Sequence, residues 1–454
     1  MAGRAEPAPS PAEGSHAFDI DVTAPFVRAR IATPEGRPAS APKAACDERI
    51  GGYRLCYVLA TGGMATVYLA VTEDPSAQLG RRKEAPHRVV ALKRIHPHLA
   101  LQKEYVEMFL DEARITALIR HPNVCGVLDY GVVRSAETGS DTWWLAMELL
   151  AGEPLARVSA ERAACRRDPD HTPAWPFVVA RMLAGACEGL HAAHELRDTT
   201  GRALDVVHRD VSPHNLVVGF DGRVKVVDFG IAHAKERVHQ TAAGFVKGKF
   251  AYMAPEQMRG QRVDRRADVW SLGVVLWEAL AGRPLFRRKN DSETILAALA
   301  DDVPPLRAIA AEVPPALASV AERALSMNPS ARYATAEEMG RDLASIASTR
   351  DEDVARWMRH LFPDAEREHD RLVHLASARV PRSRSASMTD PLPRSVSELA
   401  PPSATSHRRP VRSAVYRTLG GSVTVASERV AWMVALFVIV AALVLALGML
   451  LGSR

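Results

Sequence analysis

Cysteine is scarce in this chain: 5 of its 454 residues are cysteines, and no two of them form a CxxC pair. Scattered thiols argue against a disulfide framework and a zinc site, and they favour a reducing compartment. An excess of one charge is also missing, because 58 basic and 53 acidic residues leave a formal net charge of +5. A balance this close to neutral predicts no nucleic-acid partner. The N-terminal part lacks the apolar run of a secretory signal, so residues 1–49 are predicted to be a disordered leader.

Long apolar runs are missing too, with one exception at residues 431–451. This segment, AWMVALFVIVAALVLALGMLL, carries no charge, and as a helix it would span about 30 Å, the thickness of the hydrocarbon core of a bilayer. The alternative, a buried C-terminal helix, would normally retain a polar face at this length. Because arginines precede the segment, the positive-inside rule predicts that the preceding chain is cytoplasmic. We therefore expect a transmembrane helix that acts as a single-pass tail anchor in the inner or cell membrane and contacts the lipid bilayer.

Residues 377–430, just before this apolar run, are rich in Ser, Pro and Arg and nearly free of aromatic residues. That composition predicts a disordered linker between a folded domain and the membrane. Small residues four apart in the apolar run, such as Ala431 and Ala435, are compatible with helix pairing. A homodimer is therefore an open hypothesis.

The chemistry is concentrated in the stretch HRDVSPHN, from His208 to Asn215, and in a DFG triplet that begins at Asp228. An Asp five residues before an Asn, followed by a second Asp in DFG, is a phosphoryl-transfer arrangement. Asp210 would orient a substrate hydroxyl and accept its proton, while Asn215 and Asp228 would hold magnesium ions against the phosphates of ATP. Each motif alone is weak, but their order and spacing make the combination specific.

Two charged residues upstream complete this arrangement. The β-branched run RVVALK predicts a strand ending in Lys93, which would contact the α- and β-phosphates. Taken alone, a lysine after a strand is more often a solvated strand end. Residues 105–115 have the apolar spacing of a helix, which would point Glu112 inward to pair with Lys93. Downstream, an Ala-Pro-Glu triplet ends at Glu256.

With these motifs in this order, the chain resembles the eukaryotic-like (Hanks-type) Ser/Thr protein kinases of bacteria. The stretches GGMATVYLA, HRDVSPHN and GKFAYMAPEQ are particularly similar to the myxobacterial members. The resemblance extends from about Tyr53 to Ala347. It implies an α+β, two-lobed protein kinase fold, with a small β-rich N-lobe and a mainly helical C-lobe, over residues 50–348. Residues 349–376 would form a helical extension. Within it, the apolar spacing of residues 351–361 predicts an amphipathic helix packed on the lobe; a partner-docking helix is the alternative.

The family also implies a reaction and its cofactors. Its members use ATP with Mg²⁺, or Mn²⁺ as an alternative metal, and transfer the γ-phosphoryl group to Ser and Thr hydroxyls of protein substrates. We therefore expect a membrane-tethered signalling kinase that phosphorylates itself. One alternative is a membrane-anchored pseudokinase scaffold. The other alternative is a tyrosine or dual-specificity kinase. It is disfavoured because the loop sequences resemble those of bacterial Ser/Thr kinases.

The resemblance assigns a nucleotide site as well. Gly62 matches the middle glycine of the family's phosphate-covering loop, whereas Ala60 and Ala65 replace the first and third glycines. Val67, Ala91 and Leu216 would enclose the adenine, Met147 would be the gatekeeper, and backbone groups of Glu148 and Leu150 would bond the adenine edge. The predicted nucleotide contacts are Leu59, Ala60, Thr61, Gly62, Gly63, Met64, Ala65, Thr66, Val67, Ala91, Lys93, Met147, Glu148, Leu150 and Leu216.

Two further positions depart from the family pattern. Ser212 stands where most Ser/Thr kinases carry a lysine that touches the transferred phosphate, and Lys249 stands where they carry a threonine. We predict that Lys249 supplies the missing phosphate contact; a solvated loop position is the alternative. Arg209, before the catalytic aspartate, implies regulation by a phosphorylated activation loop. Thr241 is the only hydroxyl residue between Gly230 and Gly248 and is the predicted autophosphorylation site.

The family resemblance also assigns scaffold roles. It implies a buried salt bridge between Glu256 and Arg332 in the second lobe. Asp268 would anchor the backbone of the catalytic loop. His208 would pack and would take no part in the chemistry.

Overall fold

The smaller lobe is a six-stranded antiparallel sheet in the computed structural model, which describes residues 48–72, 89–135, 139–165, 173–229, 249–300 and 302–378. The spatial order of its strands is β1-β2-β3-β4-β6-β5. Their bounds are Arg49–Ile50 (β1), Tyr53–Thr61 (β2), Ala65–Thr72 (β3), Val89–Ile95 (β4), Val127–Arg134 (β5) and Asp141–Met147 (β6). Two helices lie between β4 and β5: α1 (Pro97–Ala100) and α2 (Lys103–Thr116).

Both faces of this sheet are covered, and the two faces carry different residues. Because successive side chains of a strand point to opposite faces, the residues of β4 separate into two sets. Ala91 and Ile95 join an inner cluster with Val67 and Met147. Leu92, one position on from Ala91, belongs to a separate outer cluster. Lys93 falls on the inner face, beside Ala91 and Ile95.

The larger lobe is mainly helical. Its two central helices, Trp175–His194 and Arg266–Ala281, are buried along most of their length, with Trp270 and Trp277 of the second helix fully enclosed. A small antiparallel sheet of order β7-β8-β9 lies beneath the inter-lobe cleft. The bounds are Gly152–Pro154 (β7), Leu155–Ala164 (α3), Trp175–His194 (α4), Leu216–Gly219 (β8), Val224–Val226 (β9), Pro255–Met258 (α5), Arg266–Ala281 (α6), Asp291–Ala300 (α7), Leu306–Ile309 (α8), Pro315–Ala324 (α9) and Ala336–Ile346 (α10).

Two more helices follow the helical lobe and contact different lobes. Helix α11 (Asp351–Leu361) buries Val354, Trp357 and Met358 in the core of the larger lobe, where the Trp357 indole donates to the Pro173 carbonyl at 3.1 Å. Helix α12 (Ala365–Ala378) instead packs Leu372 and Ala376 on the smaller lobe. Its contacts there are Cys56, Tyr57, Leu69 and Val71. The amphipathic helix predicted at 351–361 is therefore packed on the lobe.

The predicted two-lobed fold, a β-sheet N-lobe with a helical C-lobe, is confirmed. Most of the predicted leader and linker, Thr241, and the apolar segment 431–451 lie outside the described residues. Within the part of the chain that the structure describes, no helix is long and apolar enough to span a bilayer. The transmembrane helix at 431–451 stays a prediction.

Candidate active site

Lys93 joins two acidic side chains at the cleft between the lobes. It lies on β4, where its backbone pairs with Val67 on one side and Leu145 on the other. Its Nζ is 2.8 Å from Glu112 Oε1 on α2 and also 2.8 Å from Asp228 Oδ1 of the DFG triplet. The predicted ion pair with Glu112 is present. The contact with Asp228 was not predicted, because those two residues lie 135 positions apart.

The charges around Lys93 are tightly coupled. Burial disfavours the ammonium, but the carboxylates of Asp228 and Glu112 outweigh that effect and raise the pKa of Lys93 above its ordinary value. Burial also raises the pKa of Glu112, against the lowering effect of Lys93 and with a further rise from nearby Asp228. Lys93 is therefore a permanent cation at neutral pH, in a position suited to an anionic ligand.

The catalytic loop is anchored from below by Asp268, as predicted. This fully buried side chain near the start of α6 accepts hydrogen bonds from the backbone N–H groups of His208 and Arg209, each at 2.8 Å. It also lies 2.7 Å from Nε2 of buried His194. Burial alone would raise the pKa of Asp268, but these donors and the nearby His194 and His208 reverse the effect and lower it. The ionised carboxylate thus fixes the backbone just ahead of Asp210.

Asp210 and Asn215 are held together within that loop. The Asn215 amide nitrogen donates to the Asp210 carbonyl oxygen at 2.8 Å and to Asp210 Oδ2 at 3.1 Å. Arg209 has a backbone φ of +67°, in the left-handed region that a non-glycine residue adopts only under strong constraint. Gln257 supplies part of that constraint, because its side-chain amide donates to the Arg209 carbonyl at 3.0 Å. No local sequence pattern indicates this contact.

His208 supports the DFG triplet from within the core. Its Nε2 lies 3.1 Å from the Val227 carbonyl, and its ring packs on that of Phe229 with centroids 4.7 Å apart. Asp228, between these two residues, has a φ of +52°. The packing role predicted for His208 agrees with this geometry.

The apolar wall of the nucleotide site differs from the prediction at one position. Val67, Ala91 and Met147 belong to one buried cluster, as expected, and the β8 residue in that cluster is Val217. Leu216 belongs instead to the core of the helical lobe. The assignment of Leu216 to the adenine site is therefore wrong. Alternation along β8 points Leu216 away from the cleft and Val217 toward it.

The chain segment joining the lobes is braced by the Glu148 side chain. Glu148 Oε1 accepts from the Gly126 backbone N–H at 2.7 Å and from Lys225 Nζ at 2.8 Å. The Glu148 carbonyl receives only a long contact, 3.9 Å, from Cys125 Sγ among the described residues. The bond of this oxygen to an adenine edge stays a prediction.

The phosphate-covering loop is a tight turn between β2 and β3. The Gly62 N–H donates to the Ala65 carbonyl at 2.9 Å. A side chain added at Gly63 would meet nothing within 4 Å. Ala60 and Ala65, which replace two family glycines, are both buried in the lobe. Their methyl groups therefore pack inside the smaller lobe.

The residues of the cleft fit ATP and Mg²⁺. The Asn215 amide nitrogen is engaged with Asp210, which leaves its side-chain oxygen as a hard ligand, and the Asp228 carboxylate offers a second. In the described ranges no three His, Cys, Asp or Glu side chains form a complete metal cage. Mg²⁺ typically binds through one or two protein oxygens together with phosphates and water, so a partial oxygen set suits it.

Other predicted residues support or surround this site. Arg332 lies in a bidentate salt bridge with Glu256, at 2.8 and 2.9 Å, as predicted. Ser212 is buried in the catalytic loop, where its carbonyl accepts from the Asn215 N–H at 3.0 Å. Lys249 begins a 3₁₀ turn that ends at Tyr252, but its side chain lies outside what the structure describes. Its phosphate contact stays a prediction.

The sequence profile of the family described as Protein kinase domain matches residues 59–342. The chain is 41% identical over 298 residues to the tyrosine-protein kinase MasK of Myxococcus xanthus, covering 66% of this chain and 43% of MasK. It is 34% identical over 349 residues to the serine/threonine-protein kinase PknB of Mycobacterium tuberculosis, covering 75% of this chain and 49% of PknB. Identity to the serine/threonine-protein kinase PknA of the same species is 33% over 306 residues, covering 66% of this chain and 62% of PknA. The chain thus spans less than two thirds of each relative.

Proposed function

Because the chain belongs to the protein kinase domain family, we propose that it transfers the γ-phosphoryl group of ATP to Ser and Thr hydroxyls of proteins. The observation that carries this proposal is the pair of 2.8 Å contacts from Lys93 to Glu112 and Asp228. They join the sheet, helix α2 and the DFG triplet in the arrangement that phosphoryl transfer requires. The family uses ATP and Mg²⁺, and the oxygen ligands of the cleft suit both.

Each residue has a distinct task in this reaction. Lys93 neutralises the α- and β-phosphates, and Glu112 keeps its ammonium in place. Asn215 and Asp228 would hold the metal, which would supply positive charge against the transferred group. Asp210 accepts a hydrogen bond from the substrate hydroxyl, directs the oxygen at the γ-phosphorus and takes its proton. As the new P–O bond forms, the bond between the β- and γ-phosphates breaks and ADP leaves. Rate enhancement then comes from positioning and charge.

An active enzyme is favoured over a pseudokinase scaffold because all five residues of this machinery are present in the chain: Lys93, Glu112, Asp210, Asn215 and Asp228. The scaffold alternative rests on Ser212 and on the two replaced loop glycines. Magnesium-dependent ATP consumption separates the two. A turnover indistinguishable from that of an Asp210→Asn variant would favour the scaffold.

The hydroxyl specificity has two candidates. The printed names of PknA and PknB support Ser and Thr, whereas the name of MasK supports tyrosine. Phosphoamino-acid analysis of a generic protein substrate and of the kinase itself distinguishes them. We expect phosphoserine and phosphothreonine; phosphotyrosine as the main product would favour the second candidate.

A membrane tether is the remaining part of the proposal. It rests on the uncharged run at 431–451 and on the arginines before it. The anchor would restrict the kinase to substrates near the cytoplasmic face of the membrane. Flotation of the full chain with liposomes, compared with a variant carrying two arginines in the middle of the run, tests this. Equal recovery of both proteins in the soluble fraction would contradict the tether.

A further inference from the structure

We propose that His96 is a positioning residue for the phosphate-covering turn, an inference that rests on the proposed use of ATP. His96 immediately follows β4, and its ring Nε2 lies 2.8 Å from the Gly62 carbonyl oxygen. Because a carbonyl oxygen can only accept, Nε2 carries the proton of this hydrogen bond. The His96 backbone N–H also donates to the Met64 carbonyl at 2.9 Å. One residue thus bonds both ends of the turn.

The side-chain contact fixes the direction of one peptide plane. The described chain contains no cis peptide bonds, and a trans peptide points its C=O and N–H in opposite directions. Lys93 falls on the inner face of β4, and the backbone of His96 is still extended one residue beyond the strand, so alternation puts its ring on the outer face. A Gly62 carbonyl drawn toward His96 therefore leaves the Gly63 N–H directed inward, on the side of Lys93.

This turn needs an external constraint. Glycine adopts both signs of φ easily, so the peptide between Gly62 and Gly63 can rotate at low cost. A rotated peptide would present its carbonyl to the phosphates and repel them. Ala60 and Ala65 replace the first and third loop glycines and are buried in the lobe, so Gly62 and Gly63 are the loop glycines whose backbone can approach phosphate closely. The hydrogen bond from His96 favours the orientation that donates.

Strand β4 and the residue that follows it would then favour phosphate binding in two ways. Lys93 provides a charge, and His96, three residues later, orients a neutral backbone donor. Both residues would contribute to binding of the phosphates, and neither would contribute to binding of the adenine ring. Loss of His96 should therefore weaken the binding of ATP far more than the binding of adenosine. General damage to the cleft would weaken the binding of both ligands.

The test is calorimetric binding of ATP, supplied with Mg²⁺ as its non-hydrolysable β,γ-imido analogue, and of adenosine to the full chain and to His96→Phe. Phenylalanine keeps a ring stacked on His98, whose centroid is 5.6 Å from that of His96, but removes the donor. The expected result is a Kd for ATP that rises ~10-fold, the equivalent of one hydrogen bond, with adenosine changed less than ~2-fold. His96→Gln, with an amide nitrogen near the position of Nε2, should recover part of the loss.

The matched control is His98→Ala, which removes the stacking partner and leaves the hydrogen bond intact. It should bind ATP like the parent. Equal losses for ATP and adenosine in His96→Phe, or no loss for either, would overturn the proposal. Because binding is measured without turnover, absent phosphoryl transfer would contradict the proposed function and leave this comparison decisive.

Discussion

Lys93 and Asp228 lie 2.8 Å apart although one belongs to the sheet of the smaller lobe and the other to the floor of the cleft. The contact crosses the boundary between the two lobes. Glu112 approaches the same ammonium at 2.8 Å, so one cation is shared by two carboxylates. Removing the cation would therefore remove the phosphate contact and also leave two partly buried acids close to each other.

The first prediction concerns this cation. Lys93→Met should lower kcat by at least ~10²-fold, because a preorganised charge on the phosphates is lost. Steady-state phosphorylation of a generic substrate by the full chain measures the effect. Lys103→Met, on the exposed start of α2, is the matched control and should behave like the parent. Comparable activity of Lys93→Met and the control would contradict the assigned role.

The second prediction concerns Asp268 and pH. Its pKa is lowered in the folded protein, so the unfolded chain binds the proton more readily. The stabilisation from this group is therefore present above its ordinary pKa of 3.8 and is lost as the pH falls toward the lower folded value. Asp268→Asn should lower the free energy of unfolding by about 3–5 kcal/mol near neutral pH, since it leaves buried donors without a charged acceptor.

Chemical denaturation at several pH values measures this difference. The difference in free energy of unfolding between the parent and Asp268→Asn should become smaller below pH 3.8, because the parent then loses the stabilisation from the ionised carboxylate. A difference that stays constant down to the acid limit would show that the ionised carboxylate is not the source of the stabilisation.

The third prediction concerns the attachment of α12 to the sheet. Leu372→Ala should lower the free energy of unfolding of the smaller lobe by about 2 kcal/mol, because it opens a cavity against Tyr57 and Leu69. Leu375→Ala is the control on the same helix, since Leu375 is 40% exposed. Limited proteolysis should cut near α12 sooner in Leu372→Ala. Identical digestion of both variants would contradict the docking.

The fourth prediction concerns the exchanged residues Ser212 and Lys249. If Lys249 supplies the charge that Ser212 lacks, Lys249→Ala should reduce kcat by about 10²-fold while the fold stays intact. The double variant Ser212→Lys with Lys249→Thr should recover part of the activity. Circular dichroism checks folding, and an unaffected Lys249→Ala would disprove the exchange.

Local patterns in the sequence were sufficient for the fold and for most of the site. The strand ending in Lys93, the helix carrying Glu112 and the catalytic loop follow from periodicity and motif spacing. The predicted helix at 351–361 matches the observed one residue for residue. These features depend on neighbouring residues, which a sequence displays directly.

Other features depended on contacts that no local pattern reveals. The Lys93–Asp228 contact, the Gln257 bond to Arg209 and the docking of α12 each join distant parts of the chain. The error at Leu216 was different in kind. Asn215 directly precedes β8, and its predicted role places its side chain at the cleft. Because side chains alternate along a strand, the next residue to face the cleft is Val217, two positions after Asn215.

Phosphoryl transfer at this cleft is tested by incorporation of labelled γ-phosphate into the full chain with Mg²⁺ and ATP, beside Asp210→Asn. We predict phosphate on Thr241 and on a protein substrate for the parent, with both reduced by ~10²-fold or more in the variant, because the hydroxyl loses its base. Equal incorporation by the two proteins, or none by a parent chain that is folded and binds ATP, would contradict this prediction.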